Sequence, residues 1–266
     1  MSKQVAVKQG NLEQTALALK SEAEERGAAL RELGVETADL VIPSIQVMQG
    51  TSALVGDGKA VLADIVNMQT EEVLAKFGTG IKILPLKLFK TLRTYNVQDS
   101  GFKFMGEEPL TAANDKLQGE GLVDGVPVKR YHTFNFFVLL KTDLDKGEGF
   151  PCLLRFRSTG MNAGRALATY LYKQVFFRKK PYANFVELSV KKEKKDTATY
   201  GVPVITAVNP LAATPGELAA AESWLAMLAA GNYKLADAEE PSEEVGTAAK
   251  PVVMGAEIFG VTDGEY

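Results

Sequence analysis

A single cysteine, Cys152, and a single histidine, His132, stand in a chain of 266 residues. One thiol cannot close an intramolecular disulfide and one imidazole cannot supply the usual zinc-ligand sets, which argues against thiol redox chemistry and structural zinc. No apolar run approaches the length needed to cross a bilayer, and Met1 to Gly10 lacks a signal-peptide core, so a cytoplasmic, membrane-free protein is expected. What is present is ordinary for a folded globular chain: 46% hydrophobic and 24% charged residues. That length can bury a core without metal or disulfide staples, in one large domain or two small ones.

The net charge of -3 conceals an uneven distribution. From Leu235 to Tyr266 eight acids face one base, a net of -7, whereas the remaining chain holds 29 bases against 25 acids, a net of +4. Gly80 to Tyr200 is more basic still, with 21 Lys and Arg against 12 Asp and Glu. A basic body with an acidic tail suits a polyanionic partner and a tail that competes for the same surface; the plainer reading of such a tail is solubility.

Three regions follow: an N-terminal helical extension over residues 1–39, a body over 40–234 and an acidic tail over 235–266. Asn11 to Leu33 has helical spacing of Leu12, Ala16, Leu19, Ala23 and Leu30, stopped by Gly34. Leu40 to Met48 and Ala60 to Met68 read as strands, and Ile81 to Val97 as a strand interrupted by Pro85. Ser100 to Gly125 reads as a long, partly irregular insertion. Lys129 to Lys141 and Phe150 to Ser158 form a hairpin around the Asp143 to Gly149 turn. A helix capped by Asn162 runs to about Arg178, and strands follow at Tyr182 to Lys192 and Thr199 to Val208. In Thr214-Pro215-Gly216-Glu217 the hydroxyl, the ring and the carboxylate occupy N-cap, first-turn and reciprocal-cap positions of a helix running to Ala230. Its packing face is Trp224, Leu225 and Leu228.

The fold class is therefore mostly β with added helices. A helix between the third and fourth strands matches an OB-fold-like five-stranded barrel with an N-terminal extension, while other small barrels and an α+β sheet stay open.

Alternation in Lys129 to Lys141 sends His132, Phe134, Phe136, Val138 and Leu140 to one face, the expected core, with His132 an interior residue and no catalyst. Lys129, Tyr131, Phe137 and Lys141 go to the other. Arg155 and Arg157 repeat this on the next strand, as do Lys87, Phe89, Arg93 and Tyr95 on the earlier one, opposite Leu86, Leu88 and Leu92. Cations for phosphates beside rings for unstacked bases are what single-stranded nucleic acid requires, at about 1–3 kcal/mol per stacked base. The same rings would equally pack against an added helix.

No enzyme constellation emerges. Gly56-Asp57-Gly58-Lys59-Ala60 fails the phosphate-loop pattern at Ala53 and Ala60. Asp143, Asp145 and Glu148 fit a turn better than a cation site. Ser158 would need the only histidine as its base. No catalytic residue, metal ligand or cofactor is assigned, and a nuclease using Glu187 to Lys195 has no diagnostic spacing.

The strand faces, the capped helix and the ending Asp263-Gly264-Glu265-Tyr266 together resemble a phage-type single-stranded DNA-binding protein. Ile42 to Gln49 and Phe150 to Phe156 are also similar to segments of phage replication-region proteins. The resemblance implies an OB-fold that grips the strand and an acidic, aromatic-ended C-terminus that competes with DNA and contacts replication or recombination proteins, in the host cytoplasm. The apolar stretch Pro251 to Val261 departs from that tail pattern. A homo-oligomer is compatible with this reading, and the alternative is a phage structural or assembly protein whose strands make subunit contacts.

Overall fold

The computed structural model describes residues 40–97, 103–195, 197–229 and 234–235. The expected helix over Asn11 to Leu33 and the tail beyond Leu235 lie outside the described residues. In chain order the strands are β1 (Val41–Ile42), β2 (Ser44–Val47), β3 (Ile65–Asn67), β4 (Glu72–Ala75), β5 (Ile81–Asn96), β6 (Lys103–Pro109), β7 (Gly119–Val123), β8 (Val126–Leu140), β9 (Cys152–Phe156), β10 (Asn184–Lys195), β11 (Ala198–Ala212) and β12 (Lys234–Leu235). The helices are α1 (Ala53–Gly56), α2 (Lys141–Lys146), α3 (Met161–Phe176) and α4 (Pro215–Ala229). The protein is mostly β with added helices.

One sheet of ten strands runs β11-β10-β5-β8-β9-β2-β3-β4, with β6 and β7 as side branches on β5 and β8. The five strands anticipated for the barrel are β5, β8, β9, β10 and β11, with α3 between the third and fourth. They pair antiparallel as β5 with β8, β8 with β9, β5 with β10 and β10 with β11. An added strand extends the sheet beyond β9: β2 runs parallel to β9 and antiparallel to β3. Just past β2, Gln49 reaches across to β11, donating from Nε2 to the Gly201 carbonyl at 3.0 Å and accepting from the Gly201 N–H at 3.1 Å. A Cβ at Gly201 would lie 2.9 Å from Val47 Cγ1 and 3.2 Å from Ala63 Cα, so only glycine permits this approach.

Both faces of the central strands are buried. Phe134, Phe136, Val138, Cys152, Leu154 and Phe156 form one core with Leu167 and Leu171 of α3. Phe137, Leu139, Leu153, Phe89 and Leu86 form a second with Ala221 and Leu228 of α4. Burial of Cys152 pushes its thiol up to about 12, as an inert core residue requires. α4 begins with the anticipated reciprocal cap: the Thr214 N–H donates to Glu217 Oε2 at 2.7 Å and the Glu217 N–H to Thr214 Oγ1 at 3.4 Å. Trp224 Nε1 donates to the Gly149 carbonyl at 2.7 Å, and its ring meets Phe150 edge-on at 4.9 Å.

Three local expectations need correction. The break at Pro85 is a bulge between Pro85 and Lys87 within one continuous strand. A bulge shifts the two-residue alternation, so Leu86 joins Phe89 in the second core instead of opposing it. The supposed irregular insertion contains β6 and β7, and β7 turns into β8 through Asp124 and Gly125, at φ 50° and 78°. Those paired left-handed residues make a two-residue hairpin turn. Finally, α3 starts at Met161 behind Gly160, with no side-chain cap from Asn162.

Candidate nucleic-acid interface

The β5–β8 register sets Lys87 opposite Phe137, Phe89 opposite Asn135, Arg93 opposite Tyr131 and Tyr95 opposite Lys129. On the far side of β8, Asn135 faces Arg155. Arg157 follows directly after β9, donates from Nη1 to the Tyr95 hydroxyl and lies over that ring at 4.8 Å. Eight of the ten residues singled out from sequence thus share one face of three adjacent strands, and Arg157 joins them through Tyr95. The tenth, Lys141, begins α2 and is bound elsewhere, pairing with Asp145 one helical turn on and with Glu217 of α4 at 3.4 Å. The hydrogen bond to Asp145, and then that to Glu217, raises its pKa.

The face is not the open platform that alternation suggested. Phe137 is 0% exposed, Tyr95 1%, Arg93 2% and Phe89 6%. Phe89 and Phe137 contact each other at 5.3 Å inside the core that includes Ala221 and Leu228, so the added helix α4 takes the place a base would need. That is the packing role the sequence left open for these rings. Tyr95 touches Tyr131 edge-on at 5.8 Å and Phe104 at 5.8 Å. The half-buried members are Lys87, Lys129, Tyr131, Arg155 and Arg157. His132 is half-buried instead of interior, with Nε2 3.1 Å from the Asp115 carbonyl.

Polar groups continue the face beyond the two phenylalanines. Arg93 Nε lies 3.3 Å from Glu107 Oε2, and its guanidinium sits over Phe104 at 4.3 Å. Asn135 Nδ2 donates to Thr91 Oγ1 at 2.8 Å, and the Thr91 hydroxyl donates to Glu107. Lys129 Nζ is 3.4 Å from Glu120 and 5.9 Å above the Tyr131 ring. Burial alone lowers the Lys87 ammonium to about 8. The strand ladder therefore presents cations braced by rings and carboxylates, an arrangement suited to anionic oxygens.

Sequence reasoning missed the most exposed rings. Among the described residues Tyr172, Phe176 and Phe177 are 69%, 67% and 66% exposed, on the side of α3 away from its buried face of Ala163, Gly164, Leu167, Tyr170 and Leu171. The signal was available, since one face of that helix already sufficed for the core. Among the described residues no group of three or more His, Cys, Asp or Glu side chains could hold a metal ion, and no helix is long and apolar enough to cross a membrane.

No curated protein and no solved structure matches the chain. The family model described as Pam3 phage gp34-like protein matches residues 8–234, which spans both cores, the cation ladder and α4. With most of its length inside that match, the chain belongs to the Pam3 phage gp34-like protein family.

Proposed function

We propose that this phage-family protein is a non-enzymatic binder of single-stranded DNA with little sequence preference, acting in replication or recombination. The observation that carries the reading is the register that lines up Lys87, Lys129, Tyr131 and Arg155 on one face of β5, β8 and β9, with Arg157 joined to it through Tyr95. In an OB-type barrel the outer face of the second and third strands, here β8 and β9, is where oligonucleotides bind. The half-buried cations meet phosphates, Tyr131 offers a ring to a base, and Arg93 and Tyr95 brace their neighbours. Phe89 and Phe137 pack under α4 and take no part. The acidic segment after Leu235 competes with DNA for the same cations.

A salt series of fluorescence-polarisation titrations with single- and double-stranded oligonucleotides tests this. Binding to the single strand weakens steeply with salt, by about 0.7 in logarithmic slope for each phosphate contact. The double variant Arg155→Ala/Arg157→Ala lowers that slope by roughly 1.4. Ending the chain after Leu235 tightens binding. Absence of salt-sensitive binding in both the full and the shortened chain would refute the proposal.

A structural or assembly role draws on a different observation. Among the described residues β6 pairs only with β5 and β7 only with β8, and Met105 and Leu122 on these side branches are exposed. Open edges with apolar side chains suit subunit contacts. That reading predicts large ordered oligomers by light scattering and indifference of any DNA binding to Arg155→Ala.

A further inference from the structure

The cluster on α3 lies on the other side of the sheet from the cation ladder, because α3 packs on the core of Phe136 and Leu154 whereas the ladder adjoins the core of Phe137 and Leu153. Three rings are contiguous there: Tyr172 and Phe176 are 6.1 Å apart and near-parallel at 25°, and Phe176 meets Phe177 at 5.3 Å and 85°. Val175 between them is exposed as well. The same segment carries Arg165, Lys173, Arg178, Lys179 and Lys180, and Met161 to Lys180 contains no Asp or Glu. Only Lys180 of these five has an ion pair among the described residues, with Glu222.

Helix-dipole complementarity explains basic residues at a helix C-terminus but not rings held in water beside them. The terminus is also built unusually. Arg178 adopts φ 55°, a left-handed position that favours glycine. Its N–H donates to the Val175 carbonyl at 2.9 Å, and the Lys179 N–H reaches the Gln174 carbonyl at 2.8 Å. This double closure turns the chain sharply and holds the Arg178-Lys179 pair next to Phe176 and Phe177. Rings beside the cations Lys173, Arg178 and Lys179, unpaired among the described residues and on a segment without acids of its own, complement a polyanion that carries flat apolar groups.

We infer that the outer surface of α3 and its closing turn is a second contact for single-stranded nucleic acid, with bases on Tyr172, Phe176 and Phe177 and phosphates on Lys173, Arg178 and Lys179. The inference rests on the strand-binding reading above and extends it: a bound strand passes from the β8–β9 face round to the helix side, so the protein occludes more nucleotides than one sheet face spans.

The test titrates the full chain and two variants with a thirty-nucleotide oligo-dT. Tyr172→Ala/Phe176→Ala/Phe177→Ala weakens binding by about tenfold or more. Lys173→Gln/Arg178→Gln/Lys179→Gln lowers the salt slope by roughly 2. Ultraviolet crosslinking of the unaltered chain, with peptide mapping, places adducts between Tyr172 and Lys180 independently of how the variants fold. If the unaltered chain binds but its adducts avoid that segment and both variants bind as it does, the second contact is refuted while the strand-face reading stands. Loss of self-association in the ring variant with unchanged oligo-dT affinity refutes it too, making the patch an interface between copies. No binding by the unaltered chain overturns both.

Discussion

Removing the Gln49 side chain tests how β11 is tied to the segment after β2. Between β2 and β11 there is no ordinary ladder; the Gln49 amide supplies one donor and one acceptor to Gly201, in the places a neighbouring peptide would use. Gly201 is buried, and its Cβ-less backbone lies against Val47 and Ala63, so water has little room to substitute. Gln49→Ala leaves one buried N–H and one buried C=O without partners. At about 1–3 kcal/mol for each of the two orphaned groups, the expected loss is about 2–6 kcal/mol, a large fraction of the roughly 5–15 kcal/mol that holds a typical domain. Gln49→Glu keeps the acceptor but replaces the donor with a second carboxylate oxygen facing the Gly201 carbonyl, so it costs at least as much. Urea unfolding followed by the fluorescence of the single tryptophan measures both variants. Hydrogen exchange at the Gly201 amide in the native protein gives a local readout, and protection there falls first. A Gln49→Ala cost below about 0.5 kcal/mol, with Gly201 protection unchanged, would show that this contact is held by side-chain packing alone and that the two hydrogen bonds contribute nothing to it.

Gly164 faces the sheet from α3, where a Cβ would lie 2.9 Å from Phe156 Cβ and 3.1 Å from Phe134 Cβ. Alanine gains about 1 kcal/mol of helix propensity, but overpacking of about 1–3 kcal/mol outweighs it, so Gly164→Ala shows a net loss of about 1 kcal/mol in denaturant unfolding, and a net gain would refute the contact. Lys87 has a folded-state pKa lowered by burial to about 8, against 10.5 as its reference. The unfolded chain binds the extra proton between those values, so this group's contribution to stability rises with pH from about 8 to about 10.5. Lys87→Met is therefore more stable than the parent at pH 7, by about 1 kcal/mol once screening of a half-exposed group is discounted, and the difference vanishes near pH 10.5. A pH-independent difference in paired unfolding curves would mean that the lysine is not desolvated.

The parts legible in the sequence were those decided within a few residues. Thr214, Pro215 and Glu217 announced α4 because a reciprocal cap is a local hydrogen-bond pattern. The alternation in β8 correctly divided Phe136 from Phe137, because a regular strand has a two-residue period. Asp124-Gly125 was equally local and was passed over, since the polar stretch before it hid two short strands. The bulge at Pro85 was visible only as a proline; which residues change face depends on the partner strand. Two features had no local signal at all. The entry of β2 beside β9 joins segments more than a hundred residues apart, and the cover of α4 over Phe89 and Phe137 turned an apparent binding face into a core. Periodicity states that a strand has two faces and leaves open which one a distant helix will claim.

That division of the outer face also bears on the proposed function. α4 covers the apolar half, where Leu84, Leu86, Phe89, Phe137, Leu139 and Leu153 meet Ala221 and Leu228. One residue pair further along, the same strands change character to Thr91, Thr133, Asn135, Arg93 and Arg155. A face needed only for packing would have continued apolar, since a buried pair such as Arg93 and Glu107 loses solvation that hydrophobic residues of similar volume would not lose. The Arg93–Glu107 pair and the Asn135–Thr91–Glu107 hydrogen bonds instead hold a rigid polar floor beneath the half-buried Tyr131, Arg155 and Arg157. Side chains anchored in this way lose little further entropy on meeting a ligand, which favours binding. The proposed strand contact therefore does not depend on Phe89 and Phe137, which pack in the core with α4, while the polar half beyond them carries the charge.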